Sequence, residues 1–444
     1  MGSKNHPLQD HGIYHNLPTF DPSITNLHAI ITGANGISGF HTMRALLESP
    51  HRWTKIYALS RKPPPKEMLA LLTPDQRSRI HHVAVDFLSP PSEIAKALRE
   101  ANIQASHIFF YSYLQPKPDP SAPKSHTWSN ASELVSVNKT LLENFLLALR
   151  EVGMKPTRFL LQTGAKTYGV HIGRHRTPAC ESDPQPQHLE PNFYYPQEEL
   201  LFEYVNSVPG CAWNVVSPAW IIGAVTTAQI NGFQPWAVYA AVQGRKGEGV
   251  RFPSDWGVWQ DERCHASARL TGYLSEWVVL EEKCADQRFN AQDTAPVSWD
   301  RFFGELGRWY GAKGVEGPSE AFEVMVAGKG GEDAPMGYGP PVEHRYSFKL
   351  VDWAKENENR AVWEEMMRES AGRLTFNPFD DPEENFQMGD AVLIPMATLN
   401  MNKARRMGWT GYVDTIESIF EMYRENARLG LLPEMVVDEP RPLI

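Results

Sequence analysis

Three glycines, Gly33, Gly36 and Gly39, are spaced three residues apart between a short apolar run at 29–31 and a helical pattern at 40–47. A glycine turn between a buried strand and a helix lets backbone N–H groups approach a pyrophosphate at the positive end of the helix. A bare glycine triplet also occurs in ordinary turns, so the flanking strand and helix decide the interpretation. The pattern predicts a dinucleotide-binding turn whose contacts come from Thr32, Gly33, Asn35, Gly36, Ile37 and Gly39.

Strand and helix patterns continue to alternate as far as about residue 223. Apolar runs predict further strands at 55–60, 81–86, 107–111, 158–162 and 213–216, and helical patterns lie between them at 66–72, 92–101, 135–151 and 197–206. Parallel strands need crossover helices, so the expected fold class is α/β, with a Rossmann-type doubly wound parallel sheet. Later helical patterns at 266–282, 299–310, 351–369 and 413–429 predict a mostly helical substrate-binding cap.

We therefore expect three parts in the chain. These are a polar leader at 1–26, a dinucleotide-binding domain at 27–225, and a cap at 226–444 that returns some segments to the sheet. The chain has 444 residues, of which 42% are apolar and 22% charged. That composition allows a large core and excludes a disordered protein.

The net charge limits which binding partners are expected, and the cysteines indicate the cell compartment. The formal net charge of −10 disfavours nucleic acid and anionic membranes. The four cysteines form no CxxC pair, which is typical of thiols in a reducing compartment. The first 20 residues lack the apolar segment of a secretory signal, and no stretch is long enough to span a bilayer, so we expect a cytoplasmic protein. A homodimer is left open.

No metal site is expected. His171 and His175 are four residues apart, but Gly173 lies between them and no carboxylate is suitably spaced.

The end of the second predicted strand indicates which dinucleotide binds. An NAD enzyme places a carboxylate there for the ribose 2′-OH, but this chain has Ser60, Arg61 and Lys62. Two adjacent cations suit a 2′-phosphate, so the expected cofactor is NADP(H). The alternative is a pair of solvated charges on a loop. We also expect Asp86 and Phe87 to flank the adenine, and Tyr111 and Tyr113 to line the path of the cofactor.

The usual Tyr-x-x-x-Lys pair of short-chain reductases is absent. Four residues after Tyr194 stands Glu198, and four after Tyr195 stands Glu199. A lysine is available instead at Lys166, just beyond the fifth predicted strand. Strand ends on that side face the cofactor crevice, so Lys166 is a candidate partner for a tyrosine from another segment.

Two segments carry a resemblance to a known family. LQTGAKTYG at 161–169 and NFYYPQEE at 192–199 resemble the LQTGxKHYxG and NFYYxxED motifs of the progesterone 5β-reductase and iridoid synthase (PRISE) family of atypical short-chain reductases. The similarity extends over roughly residues 27–429. Three positions depart from the family pattern, namely Thr167 for His, Glu199 for Asp and Ser217 for Arg. These departures concern the substrate more than the chemistry.

The resemblance implies a catalytic pair, Tyr195 and Lys166, and 1,4-reduction of an enone or enal. NADPH would deliver hydride to the β-carbon, while the Tyr195 hydroxyl holds the charge that develops on the carbonyl oxygen. Lys166 would keep that phenol acidic and bind the nicotinamide ribose. Further cofactor contacts are expected from residues in the similar segments, namely Gln162, Pro218, Ala219 and Ile221.

Four aromatic residues are candidates for contacting a small, largely apolar, carbonyl-containing substrate of specialised metabolism. Tyr113, Tyr168 and Tyr194 are weaker candidates for catalysis than Tyr195, because such residues more often pack than react. Trp236 either lines an apolar substrate cavity or belongs to the core of the cap.

Three other functions stay open. The first is carbonyl reduction or alcohol oxidation that uses the same tyrosine and lysine. A non-redox isomerase or cyclase would use the cavity with NADP bound but not turned over. A cofactor-sensing regulator would bind NADP(H) without chemistry, but the presence of both Lys166 and Tyr195 argues against it.

Overall fold

Strands and helices alternate through the first half of the computed structural model, which describes residues 7–116, 130–227, 231–327, 336, 338–395 and 398–443. In chain order, the elements of this half are β1 (Leu8–His11), β2 (Tyr14–Pro18), β3 (Leu27–Thr32), α1 (Ile37–Leu47), β4 (Trp53–Ser60), α2 (Lys66–Leu69), α3 (Pro74–Ser78), β5 (Ile80–Ala84), α4 (Pro91–Glu100), β6 (His107–Phe110), α5 (Ala131–Glu151), β7 (Arg158–Gln162), a 3-10 helix (Ala165–Tyr168), α6 (Tyr194–Ser207) and β8 (Ala212–Pro218).

Helices predominate in the second half. Its elements are β9 (Ile221–Ile222), α7 (Gln234–Lys246), β10 (Val250–Arg251), α8 (Trp256–Trp259), β11 (Glu262–Arg263), β12 (Ala266–Ser267), α9 (Ala268–Leu280), a 3-10 helix (Glu282–Cys284), β13 (Gln287–Ala291), β14 (Val297–Ser298), α10 (Trp299–Trp309), β15 (Val315–Glu316), β16 (Glu323–Ala327), β17 (Val342–Tyr346), α11 (Leu350–Ala354), α12 (Asn357–Glu369), a 3-10 helix (Pro378–Asp380), α13 (Pro382–Ala391), α14 (Asn402–Arg406) and α15 (Thr415–Arg428).

The central sheet has seven parallel strands in the order β13-β8-β7-β6-β3-β4-β5. The predicted α/β fold class and doubly wound sheet are confirmed. The strand order reverses between β3 and β6, and ligands of open parallel sheets bind outside the carboxyl ends of the strands at such a point.

Sequence patterns missed the edge strand and one buried helix. Strand β13 pairs with β8 over Gln287–Ala291, but the polar residues Arg288 and Asn290 interrupt its apolar run. Helix α7 is buried continuously from Pro235 to Gln243, so it has no one-sided apolar stripe to reveal it. The helix predicted at 351–369 is two helices, α11 and α12.

The amino-terminal segment belongs to the folded core. Strands β1 and β2 form an antiparallel hairpin, and Tyr14 and Leu17 are buried. The Tyr14 hydroxyl donates to Glu421 on α15 at 2.9 Å, and the backbone of His15 exchanges two hydrogen bonds with Tyr412. Residues 8–18 of the expected polar leader therefore pack as part of the fold, and residues 1–6 lie outside the described residues.

Apolar cores cover both faces of the sheet. On one face, Phe110, Phe145 and Leu201 pack between the strands and helices α4, α5 and α6. On the other face, a larger core runs without interruption from Ile31 and Phe109 into the second half of the chain. The cap and the sheet thus share one core across the predicted boundary at residue 225.

Helix α1 is fixed tightly to the second half of the chain. A Cβ added at Gly272 of α9 would lie 2.9 Å from the Cα of Thr42, so the two helices meet closely at this glycine. The buried Arg44 guanidinium donates to both oxygens of Glu425 on α15, at 2.8 and 2.6 Å. Buried charges need such pairing to be tolerated. These contacts hold α1 in place through its middle and last turn.

Within the described ranges, no helix is both long enough and apolar enough to cross a bilayer.

Candidate active site

The segment 32–39, here called the phosphate turn, is open to an external anion. Helix α1 starts after Gly36 with no side-chain cap, so the N–H groups of its first turn lack partners within the helix. The Gly36 N–H donates to the Gly33 carbonyl at 2.9 Å. Thr32 Oγ1 accepts hydrogen bonds from the N–H groups of Tyr111 and Ser112, at 3.0 and 3.2 Å, which ties the turn to the end of β6.

Glycine is required in the phosphate turn because backbone segments meet there. Gly33 has a φ of +59°, and a Cβ at this position would lie 2.8 Å from the Tyr111 carbonyl oxygen. A Cβ at Gly39 would collide with the Gly33 carbonyl. The glycines let β3, the turn and α1 approach closely, which leaves the start of α1 uncovered at the carboxyl edge of the sheet.

Two buried amide oxygens at this edge lack partners among the described residues. They are Gln162 Oε1 and Asn35 Oδ1. The Gln162 amide nitrogen donates to Ser38 Oγ of α1 at 2.8 Å, so the last residue of β7 touches the start of the helix. Unpaired buried polar atoms are costly unless a ligand or water satisfies them. Together with the uncapped helix, they fit a dinucleotide whose pyrophosphate lies at the phosphate turn.

Side-chain hydrogen bonds to its backbone carbonyls fix the loop after β4, and the two cationic side chains of this loop are exposed. Asn35 Nδ2 donates to the carbonyls of Lys62 and Pro63, at 2.8 and 3.3 Å, and Ser60 Oγ donates to the Lys62 carbonyl at 2.7 Å. Arg61 and Lys62 are exposed, and within the part of the chain that the structure describes neither forms an ion pair. The side chains of Asn35 and Ser60 therefore shape the loop, and the two cations face solvent.

The structure corrects the expectation for Phe87. Its ring is buried in the core against Phe110 and Phe145, with centroid distances of 6.1 and 5.1 Å, so it cannot flank an adenine. Asp86 is exposed beyond β5, and its carboxylate accepts the Leu88 N–H at 3.0 Å. Only Asp86 of this predicted pair presents its side chain at the surface.

Tyr111 lies beside α1 at the end of β6. Its hydroxyl accepts a hydrogen bond from Thr42 Oγ1 at 2.9 Å, and burial raises the pKa of Tyr111 to about 12. The predicted contacts after β8 lie at the same edge of the sheet. Pro218 ends β8, its carbonyl lies 3.5 Å from the position of a Cβ at Gly164, and Ala219 and Ile221 follow it.

The segments that carry Lys166 and Tyr195 meet at the carboxyl end of β7. Lys166 lies in the 3-10 helix Ala165–Tyr168, and Tyr195 lies in the first turn of α6. The buried Tyr195 hydroxyl donates to the Thr167 carbonyl at 3.0 Å, across 28 residues of sequence. Asn192 Nδ2 donates to the Lys166 carbonyl at 3.0 Å. We call residues 162–168 together with Tyr195 the tyrosine turn.

The environment of Tyr195 favours a neutral phenol. Burial raises the pKa of Tyr195, a hydrogen bond with Asn192 opposes the shift, and the negative charges of Glu198 and Glu190 add to it. The role expected of Lys166, keeping this phenol acidic, stays a prediction. A protonated phenol is a hydrogen-bond donor, which is the form that stabilises a negative oxygen.

Glu198 was missed as a site residue. It lies one helical turn after Tyr195, is only 2% exposed, and accepts hydrogen bonds from Arg288 on β13 and from Gln185. Its place in the NFYYPQEE segment is the one signal that could have drawn attention to it. Nothing in the sequence connects it to Arg288 or Gln185.

Two of the predicted substrate residues lie together beside the tyrosine turn. Tyr113 and Tyr194 pack with Phe193 and with the start of α5 in a small apolar cluster. The Tyr194 hydroxyl lies 2.8 Å from the position of a Cβ at Gly164. This cluster supplies an apolar wall at the carboxyl edge of the sheet.

The other two predicted substrate residues are held in place by buried hydrogen bonds. Tyr168 donates its hydroxyl to Asn290 Oδ1 at 2.6 Å. Trp236 is fully buried, its ring packs on Phe303 at a centroid distance of 5.1 Å, and its N–H donates to the Gly389 carbonyl at 3.0 Å. Of the two interpretations of Trp236, the structure supports the core residue, which corrects its assignment to the substrate site.

A cavity of about 640 Å³ lies at the opposite, amino-terminal edge of the sheet, lined by residues such as His28, Arg99 and Met154. It opens away from both turns and does not belong to the candidate active site.

Comparisons with known proteins agree with this architecture. The family model described as the PRISE-like Rossmann-fold domain matches residues 29–326. The short chain dehydrogenase gsfE of Penicillium aethiopicum is 28% identical over 414 residues, which cover 91% of this chain and 99% of that protein. The (S)-8-oxocitronellyl enol synthase ISY1 of Nepeta racemosa and the 3-oxo-Delta(4,5)-steroid 5-beta-reductase of Arabidopsis thaliana are 25% and 23% identical, each over 91% of this chain and 93% of its own length.

Among solved structures, the Bordetella bronchiseptica enzyme WbmG in complex with NAD resembles this chain with a TM-score of 0.54 at 13% identity. The match covers 93% of this chain and 98% of that one. At this identity the likeness concerns the fold alone, and it agrees with a Rossmann architecture.

Proposed function

This chain belongs to the PRISE-like Rossmann-fold family, and on that premise we propose that it is an NADPH-dependent reductase of an activated C=C bond in a small, largely apolar, carbonyl-containing metabolite. One observation carries the proposal. The buried Tyr195 hydroxyl donates to the turn that holds Lys166, at the same sheet edge as the phosphate turn. The names of the relatives support it, since they include a short chain dehydrogenase and a steroid 5-beta-reductase.

The phosphate turn is suited to hold the pyrophosphate through the first N–H groups of α1. Arg61 and Lys62, exposed on the loop that Asn35 and Ser60 support, favour a 2′-phosphate and hence NADP(H) over NAD(H). When bound, this cofactor supplies the hydride. Lys166 is proposed to bind its nicotinamide ribose, as the family resemblance implies.

Tyr195 is proposed to act as the donor to the substrate carbonyl. In the structure its hydroxyl donates a hydrogen bond to the Thr167 carbonyl, and a substrate oxygen would replace that carbonyl as the acceptor. Negative charge accumulates on this oxygen during 1,4-reduction, and one oriented donor in a buried site contributes roughly 10²- to 10³-fold to the rate. A phenol whose pKa is raised keeps its proton while donating, which favours stabilising an enolate oxygen over complete proton transfer to an alkoxide.

The substrate is proposed to lie against the apolar cluster of Tyr113, Phe193 and Tyr194. An apolar wall beside a single hydrogen-bond donor suits a hydrocarbon skeleton that carries one conjugated carbonyl.

The proposal is tested with NADPH deuterated at the transferable C4 position and a simple cyclic enone. We expect a saturated ketone with deuterium on the β-carbon, a proton from water on the α-carbon of the released enolate, and an intact carbonyl. Deuterium on a carbinol carbon would instead assign carbonyl reduction. A rearranged product without NADPH oxidation would assign an isomerase or cyclase, the outcome suggested by the relative named as an enol synthase. Cofactor binding without turnover of any enone or enal would contradict the reductase.

A further inference from the structure

A buried carboxylate, Glu198, lies directly behind the tyrosine turn and pairs with the partly exposed Arg288. Glu198 Oε2 accepts hydrogen bonds from Arg288 Nη2 at 2.6 Å and Nε at 3.2 Å, and from Gln185 Nε2 at 3.1 Å. Glu198 is carried by α6, while Arg288 belongs to the edge strand β13. A carboxylate buried to this extent persists only when it is paired, and all three of these hydrogen bonds converge on one oxygen, Oε2.

The same network reaches the Tyr195 hydroxyl through Thr167. The Gln185 amide nitrogen has two protons, and besides Glu198 it donates to Thr167 Oγ1 at 3.0 Å. The Thr167 carbonyl in turn accepts the Tyr195 hydroxyl. Thr167 therefore accepts hydrogen bonds through both its side-chain hydroxyl and its backbone carbonyl. A hydroxyl at this position, where the family pattern has histidine, makes the connection to Gln185.

We propose that Glu198, held by Arg288 and Gln185, is a positioning residue that aligns the Tyr195 hydroxyl and the turn carrying Lys166. The catalytic part of this inference rests on the proposed reductase function, but the alignment itself does not. Removing the charge of Glu198 releases Gln185, loosens Thr167 and changes the acceptor that Tyr195 faces.

The charge of Glu198 also acts on Tyr195 directly, through the pKa of its hydroxyl. The charged groups that act on Tyr195 are Glu198 on its own helix and Glu190 in the preceding segment, and Arg288 pairs with Glu198. The charge of Glu198 raises the pKa of Tyr195 and so helps to keep the proton on the hydroxyl that must donate it.

The alignment is tested without cofactor or substrate by NMR on protein carrying ¹³Cζ-labelled tyrosine, with Tyr195→Phe assigning the resonance. The ¹³Cζ shift reports hydrogen bonding and ionisation of the hydroxyl. We expect Glu198→Gln to displace the Tyr195 resonance and Glu199→Gln to leave it in place. Glu199 is the matched control, because it is the next residue on the same helix and is exposed. An unmoved resonance in a folded Glu198→Gln variant would overturn the proposal.

Kinetics supply the functional half of the test. Glu198→Gln is expected to lower kcat for a simple enone tenfold or more while KM stays within twofold, and Glu199→Gln is expected to change neither. Equal losses in both variants, or a change confined to KM, would overturn the positioning role. If the wild type reduces no enone while the resonance still moves in Glu198→Gln, the proposed function fails and the alignment stands.

A second pair of variants keeps the inference testable if Glu198→Gln does not fold. Thr167→Val removes the hydroxyl that Gln185 contacts, whereas Thr167→Ser keeps it. We expect Thr167→Val to displace the Tyr195 resonance and lower kcat, and Thr167→Ser to restore both. The same behaviour in both variants would contradict the connection through Gln185.

Discussion

The phosphate turn and the tyrosine turn lie at the same edge of the sheet, but they are built differently. The phosphate turn is one contiguous segment whose working groups belong to the backbone, and glycines give it its shape. The tyrosine turn is assembled from separate segments, and side-chain hydrogen bonds from Asn192 and Tyr195 join them. The geometry of the phosphate turn depends on the space around its backbone. The geometry of the tyrosine turn depends on a few directed side-chain hydrogen bonds.

This difference predicts that the two regions fail in different ways. A substitution in the phosphate turn changes the shape of an anion site, so it acts on cofactor binding and on stability. A substitution in the tyrosine turn removes a donor from the reacting oxygen, so it acts on the chemical step. Measuring cofactor affinity and kcat separately distinguishes the two.

The largest effect is expected for Tyr195→Phe. Loss of the donor should lower kcat for an enone by roughly 10²- to 10³-fold, since that is the usual contribution of one oriented donor to an oxyanion. The Kd for NADPH, measured by fluorescence titration, should stay within twofold.

Tyr204→Phe is the matched control, because Tyr204 is a buried tyrosine on the same helix whose hydroxyl donates to Met154 instead. It should leave kcat unchanged. A Tyr195→Phe variant that retains kcat but loses NADPH binding would contradict the assignment of cofactor binding to one turn and of the chemical step to the other.

A smaller effect is expected at the loop beside the phosphate turn. Arg61→Ala removes a charged donor from the proposed 2′-phosphate site, and such a bond is worth about 1.5–3 kcal/mol, or roughly 10- to 100-fold in affinity. The Kd for NADPH should rise accordingly, while the Kd for NADH, which lacks the phosphate, should not change. An equal loss for both cofactors would contradict the assignment of this loop.

The steric character of the phosphate turn is tested by a pair of glycine substitutions. Gly33 and Gly153 both have positive φ, but a Cβ at Gly33 would lie 2.8 Å from the Tyr111 carbonyl, whereas a Cβ at Gly153 meets nothing within 4 Å. Gly33→Ala should lower the free energy of unfolding by about 1–3 kcal/mol more than Gly153→Ala, because of overpacking. Urea denaturation measures both. Equal losses would mean that the turn adapts to the added methyl group.

The smallest effect is expected from pH. In the proposed reaction Tyr195 acts with its proton bound, and burial raises its pKa above the ordinary value, so the proton is lost only at higher pH. With NADPH and enone saturating, kcat should show no alkaline fall due to this group between about pH 7 and pH 9. A fall in that range which disappears in Tyr195→Phe would contradict a raised pKa of Tyr195 in the liganded site.

The same contrast explains what could be predicted from the sequence. The phosphate turn could be predicted because strand, glycines and helix follow one another without a gap, and local patterns are sufficient for such a unit. The prediction that Lys166 and Tyr195 act as a pair came from a family resemblance, since no periodicity connects residues in different elements. The partnership of Glu198 with Arg288 spans 90 residues and has no sequence signal at all.

Errors occurred where the direction of a side chain or its tertiary contacts decide the outcome. Phe87 and Trp236 are aromatic residues near predicted site segments, but both rings point into cores. The amino-terminal hairpin is polar in composition, yet Tyr14 and Leu17 bury it against the second half of the chain. Composition describes a segment, and packing decides whether it belongs to the core.

If the phosphate turn and the tyrosine turn serve one bound dinucleotide, a crystal structure of the complex with NADP⁺ will show both turns around the same molecule. We expect the pyrophosphate at the start of α1, the 2′-phosphate beside Arg61, and both the Tyr195 hydroxyl and the Lys166 ammonium next to the nicotinamide ribose and ring. A dinucleotide that occupies the phosphate turn but places its nicotinamide away from Tyr195 would refute the shared site.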